Sequence, residues 1–138
     1  MADINFRFEV AAEPDRVLDA VKTAEGIRGF WTSDARVPPE VGETLELGFP
    51  VAPRPFDLRL ERSDEARVVW RTQTFPPHWV GTTIEWNVSA GGPGATVTFR
   101  HAGFQDDETA GSAAYTWGQI MVHLKQYAET GTADPVFA

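Results

Sequence analysis

The stretch Gly94–Phe104, GATVTFRHAGF, with the run QDDETAGSAAYTWGQIMVHLKQYAETG at 105–131 behind it, decides the architecture of this chain. In the first part Val97, Phe99 and His101 alternate with Thr96, Thr98 and Arg100, the period of two that gives a strand one buried face. In the second, Ala110, Ala114, Trp117, Met121, Leu124 and Ala128 recur at helical spacing. Asp106 or Asp107 is suited to cap its start, Glu108 falls in the first turn and Gly131 ends it. Such a helix is roughly 30 Å long by its rise per residue. We therefore expect it to lie as a lid across the concave face of a sheet.

Working outward, TLELGF, FDLRLERS, ARVVWRTQTF and GTTIEWNVS precede this pair as short β-branched and aromatic runs between 44 and 89. The gaps are too short for parallel crossovers, so they predict an antiparallel meander. Ser63, Asp64 and Glu65 suit one tight turn, and AGGPG at Ala90–Gly94 another. At the start, Ile4, Phe6, Phe8 and Val10 alternate with polar residues as a first strand. PDRVLDAVKTAEG then predicts a helix with Pro14 in its first turn, broken by Gly26 and Gly29, and EGIRGFW a second short helix. Pro38 and Pro39 mark a loop. The fold class is α+β: strand, two short helices, a run of antiparallel strands, one long helix.

Composition narrows the function. At 138 residues we expect one domain over 1–138. No apolar run is long enough to span a bilayer, and MADINFRFEV has none of the features of a secretory leader, so no membrane insertion and a cytoplasmic location are expected. There is no Cys, which removes thiol nucleophiles, thiolate metal sites and disulfides. With 12 basic against 20 acidic residues the net charge is −8, and no Lys or Arg run offsets it; nucleic acid is not an expected partner.

Four stretches then carry a resemblance: TAEGIRGFW at Thr23–Trp31, VGETLELGF at Val41–Phe49, GATVTFRHAGF at Gly94–Phe104 and WGQIMVHLKQYAETG at Trp117–Gly131. Together they resemble the helix-grip fold of the START, birch-pollen-allergen and polyketide-cyclase superfamily (SRPBCC). Within it they look most like the branch of the activator of the 90-kDa heat-shock-protein ATPase. These are patterns of apolar and glycine positions, which speak for fold more than for chemistry. The resemblance implies a cavity between the long helix and the sheet that holds lipids, sterols, aromatic polyketides or hormones, with cyclisation, dehydration or hydrolysis in a minority of members. VAPRPF at Val51–Phe56 and FPPHW at Phe75–Trp79 depart from the pattern and are places for individual specificity.

Strand parity supplies the inner face: Leu45, Leu47 and Phe49; Leu58 and Leu60; Val68, Trp70 and Thr72; Ile84, Trp86 and Val88; Val97, Phe99 and His101. Five Trp in so short a chain suit a wide aromatic wall, though the plainer alternative is that these residues fill the core. His101 on this face needs a partner, either a ligand group or an internal one such as a backbone carbonyl, Tyr115 or Tyr127. His78 sits in the mouth loop and His123 off the apolar stripe, at the surface. Three His without HExxH spacing give no metal site, and no GxSxG, phosphate loop or GxGxxG is present, so no cofactor is expected. Glu46, Glu61 and Glu85 fall on the outer face, and Glu43 or Asp57 could line an entrance.

The expected function is binding of a small hydrophobic or aromatic molecule under the C-terminal helix by Trp31, Trp70, Trp86, Phe99, His101, Trp117 and Met121, with Phe75, His78 and Trp79 as a gate. One rival is a cyclase-type enzyme using the same cavity, with His101 as acid or base. Another is co-chaperone-like stimulation of a chaperone ATPase. Oligomeric state stays open between monomer and homodimer.

Overall fold

The computed structural model describes residues 2–38 and 40–138, so Pro39 of the expected loop lies outside the described residues. Its elements are β1 (Ala2–Val10), α1 (Pro14–Lys22), α2 (Ala24–Phe30), β2 (Asp34–Arg36), β3 (Thr44–Gly48), β4 (Phe56–Ser63), β5 (Arg67–Thr72), β6 (Thr83–Gly91), β7 (Gly94–Phe104) and α3 (Asp107–Thr130). The strands form one antiparallel sheet in the order β1-β7-β6-β5-β4-β3-β2. The chain meanders from β2 to β7, and the first strand then pairs with the last. This is the helix-grip architecture, a bent sheet under a long helix.

The local chemistry explains each boundary. Pro14 opens α1, where its missing N–H leaves no bond unmade. Thr23 then ends α1 and starts α2: its hydroxyl donates to the Asp19 carbonyl and accepts from the Gly26 N–H. Gly26 and Gly29, expected to break the first helix, instead lie inside α2 and are both buried. Their role is close approach. A Cβ at Gly26 would overlap the Ala20 backbone of α1, and one at Gly29 the Tyr127 ring of α3. β2 was not expected, because three residues are too few to show a period; it pairs with β3 as Ala35↔Leu47.

Asp64 accepts from the N–H groups of Ala66 and Arg67, both at 2.9 Å, and makes the expected turn. Those bonds, with the Arg62 guanidinium, pull its carboxyl down to about 2. Gly92 and Pro93 turn the β6–β7 hairpin, and Gly92 adopts φ +49° there. On α3, Asp106 caps by accepting from the Thr109 N–H at 2.8 Å, and Gly131 closes the other end at φ +76°.

The parity assignments hold: of the fourteen inner-face residues expected, all are buried except half-buried Phe49. Register puts Trp86 opposite Phe99, Trp70 opposite Ile84, and Ile84 opposite His101. The helix adds Trp117, Ile120, Met121, Leu124 and Ala128 from above. On the outer face the carboxylates are matched by arginines: Glu46 by Arg36, Glu61 by Arg59 and Arg71, Glu85 by Arg67. These pairs are solvent-screened and add little stability. Among the described residues no helix is long and apolar enough to cross a membrane.

Candidate functional site

All five Trp side chains converge beneath and beside the first half of α3. Trp117 descends from the helix into a ring of partners, with centroids 4.6 Å from Phe99, 4.9 Å from Trp31, 5.8 Å from Trp79 and 6.0 Å from Trp86. Trp70 completes the set against Trp31 and Trp86. The enclosed hollow expected between helix and sheet is therefore largely occupied by the protein's own indoles. Trp70, Trp86 and Phe99 pack inside this cluster, and Met121 is buried further along α3.

His101 packs between Trp79, Trp117 and Phe104, fully buried. Trp117 Nε1–H donates to its Nδ1 at 3.0 Å; an indole nitrogen can only donate, so the imidazole proton is on Nε2. That Nε2–H donates to Thr82 Oγ1 at 2.8 Å, and the Thr82 hydroxyl donates to the Trp79 carbonyl at 2.6 Å. The internal partner anticipated for His101 exists, but it is this pair rather than Tyr115, which is exposed, or Tyr127, which packs on Gly29. Thr82 could have been found by parity, since it shares a face with Ile84 and Trp86. With both nitrogens engaged, His101 has neither a lone pair nor a proton to offer a substrate.

Burial, and then the nearby His78, lowers the His101 pKa from 6.5 to about 3. Between those values the unfolded chain holds a proton that the folded chain lacks, so stability rises with pH across that window and falls as the solution is acidified. Unfolding free energy should be about 1.4 kcal/mol lower at pH 5.5 than well above pH 6.5. Carboxylates held low in the fold, such as Asp3 and Glu129, add further loss only nearer pH 4. Urea titrations of wild type and His101→Gln check this. The variant should lose most of the slope between pH 7.5 and 5.5, and a flat wild-type profile there would show that the imidazole is not held neutral.

The open space lies to one side of the cluster. A cleft of about 630 Å³ runs between the first three turns of α3, the loop after β3, the 3-10 turn Pro77–Trp79 and the C-terminal tail. Trp31, Phe49, Val51, Ala52, Phe56, Trp79, Trp117, Ile120 and Phe137 give it an apolar floor and wall. Asp106, Glu108, Thr109, Ser112 and Thr116 line the helix side with polar groups, and exposed His78 stands at the rim. Of the ten residues expected to contact a ligand, Trp31, His78, Trp79 and Trp117 line this cleft; Trp70, Phe75, Trp86, Phe99, His101 and Met121 do not. Phe75 sits beside it, edge-on to Phe56, with the Arg54 guanidinium 4.9 Å above its ring.

Two supports hold the cleft walls. Asp57, considered for the entrance, accepts from Thr74 Oγ1 at 2.6 Å and from the Phe75 N–H at 2.7 Å, fixing the segment that leads from β5 into the 3-10 turn. Burial alone would raise its pKa, but the bonds from Thr74 and Phe75 outweigh it and the carboxyl lies below its usual range. The tail returns along 29–33: Asp134, Val136 and Phe137 N–H groups donate to the Gly29, Phe30 and Trp31 carbonyls, and Ser33 N–H to that of Phe137. His123, expected at the surface, is half-buried and bonds the Asp134 carbonyl at 2.6 Å. Phe137 is thereby seated 5.1 Å from Phe49. No period in the sequence marks this segment, because its order comes from pairing with residues a hundred positions away.

No protein-family model matches the chain, and no curated protein does. Solved structures do. The Aha1 dimer of Colwellia psychrerythraea superposes with a TM-score of 0.84 at 24% identity, over 95% of this chain and 98% of that one. A Staphylococcus saprophyticus protein gives 0.79 at 22% identity, over 96% of each chain. DynU16, from the dynemicin biosynthetic locus, gives 0.80 at 18% identity, over 95% of this chain and 48% of that one. The helix-grip fold expected from the sequence is the fold of this chain.

Proposed function

We propose, on the premise of that helix-grip fold, that this chain binds a small, flat, apolar or aromatic molecule in the cleft beside Trp117, not in a closed chamber over the whole sheet. The observation that carries this is the cleft itself: about 630 Å³, within the range of roughly 300–1,000 Å³ typical of small-molecule sites, with aromatic walls and polar groups along one side. Trp79 strengthens the reading. It is a wall residue stacked on Trp117 with centroids 5.8 Å apart, and two parallel indoles at one wall suit a flat aromatic ligand. Origin of DynU16 in a biosynthetic locus accords with a small-molecule ligand for the fold. A catalytic role for His101 has less support, since both its nitrogens are bonded inside the protein.

The test uses the neutral dye N-phenyl-1-naphthylamine with fluorescence and calorimetric titration. One dye per chain is expected, with quenching of Trp emission. Ala113→Trp, which fills the cleft from the helix side, should weaken binding by more than about tenfold, as loss of a well-packed pocket does. Folded wild-type protein that takes up no dye, or an Ala113→Trp variant that binds it unchanged, would sink the reading.

A further inference from the structure

The helix side of the cleft is graded along its length. Glu108, Ser112, Thr116 and Ile120 stand four residues apart on α3, so they form one ridge of the helix, and all four line the cleft. Exposure falls along that ridge: Glu108 and Ser112 are exposed, Thr116 is half-buried and Ile120 is buried. Polarity falls with it, from a carboxylate through two hydroxyls to an alkyl group, over roughly 18 Å of helix axis. Asp106 adds a second carboxylate at the open end. It caps α3 through the Thr109 N–H, whereas Glu108 has no basic partner among the described residues. No described Lys or Arg lines the cleft, and His78 is the other titratable group at its rim. The Arg54 guanidinium, nearby, lies over the Phe75 ring and donates to Thr74 Oγ1 at 2.8 Å.

We propose, resting on the reading of this cleft as a small-molecule site, that its ligand is an elongated aromatic cation. Its positively charged nitrogen lies at the mouth by Asp106 and Glu108, and its flat ring system runs inward past Ser112 and Thr116 toward Ile120. A cation gains twice in such a place. At the mouth it meets opposite charge in a recess partly shielded from water, where Coulomb attraction exceeds its value in bulk solvent. Behind the carboxylates, Trp31, Phe49, Phe56, Trp79, Trp117 and Phe137 supply ring faces that stack on a flat ligand and attract positive charge. An anion would be repelled there, and the net charge of −8 adds to that repulsion. Acidic residues in a first turn also answer the helix dipole, but that effect ends within the turn. It does not reach Ser112 and Thr116, whose hydroxyls continue the polar ridge into the cleft at positions where better helix formers would serve the helix alone.

Titration of the full chain with two dyes of one skeleton tests this. One is 4-(4-dimethylaminostyryl)-N-methylpyridinium, a permanent cation; the other is its parent, 4-(4-dimethylaminostyryl)pyridine, used at low ionic strength and about pH 8, where it is uncharged. Both should displace N-phenyl-1-naphthylamine, which puts them in the cleft and not elsewhere on the acidic surface. The cation should bind at least about tenfold tighter than the parent. That ratio should fall several-fold in about 0.5 M salt. Asp106→Asn combined with Glu108→Gln should lower it by about fivefold or more; Asn still caps a helix, so the circular dichroism should not change. A parent dye that binds as tightly as the cation, a cation that fails to displace N-phenyl-1-naphthylamine, or a ratio that survives the double substitution overturns this inference and leaves the cleft as a site for neutral ligands. If neither dye nor N-phenyl-1-naphthylamine binds, the cleft reading falls and this inference falls with it.

Discussion

Trp117→Ala is expected to lower the unfolding free energy by about 3–5 kcal/mol, the range for truncating a large buried aromatic side chain. Three effects act together. The indole is buried against Trp31, Trp79, Trp86 and Phe99, so its removal leaves a void whose walls are rings that cannot collapse inward without leaving their own partners. It also donates to His101 Nδ1, which would be left as an unsatisfied buried acceptor. And α3 loses the residue that anchors its first half to the sheet. Against a total stability of roughly 5–15 kcal/mol, a loss of this size is a large share of what holds a domain folded. Trp117→Phe separates the terms, because it keeps a ring and loses only the donor and part of the volume; about 1–3 kcal/mol is expected. Urea denaturation measures both. A Trp117→Ala variant within about 1 kcal/mol of wild type would show that the cluster is not the core it looks to be.

The second large effect is the smallest substitution. Gly26→Ala adds one methyl group, yet that methyl would overlap the Ala20 carbonyl oxygen, Cα and carbonyl carbon, all backbone atoms of α1. No rotamer change relieves it, so α1 and α2 must part, and a loss above about 3 kcal/mol is expected, at the upper end of overpacking effects. Gly111→Ala makes the opposite case. Its methyl meets nothing within 4 Å, and in dilute protein the change should stabilise by roughly 0.5–1 kcal/mol through helix propensity alone. Thermal melts of the two variants side by side decide the matter: equal effects would mean that the contact between α1 and α2 is not as close as described.

What could be read from the chain follows the reach of each signal. Parity along β3 to β7 is local and repeats within a few residues, so it is enough to assign the inner face and to put His101 in the core. Capping by Asp106 and the stop at Gly131 are equally local. Gly26 and Gly29 were misjudged because glycine has two uses, ending a helix or letting another element come near, and only the position of Ala20 and Tyr127 distinguishes them. The site was legible in type and not in place. Aromatic side chains on an inner face line a hollow or fill it according to what the opposite layer brings, and here α3 brings Trp117 and α2 leads into Trp31. Phe56 and Phe137, which with Phe49 form much of the actual cleft wall, lie at a strand end and in a tail, where no periodicity points inward or outward.

The joining of every tryptophan into one contiguous group, with neighbouring ring centroids between 4.9 and 6.1 Å, has an optical consequence. At such separations the indole transitions couple, so the five chromophores absorb and emit collectively, and excitation reaching any of them migrates to whichever has the lowest energy. The near-ultraviolet dichroism should carry paired bands of opposite sign, and a molecule resting on Trp79 alone would dim the light of all five.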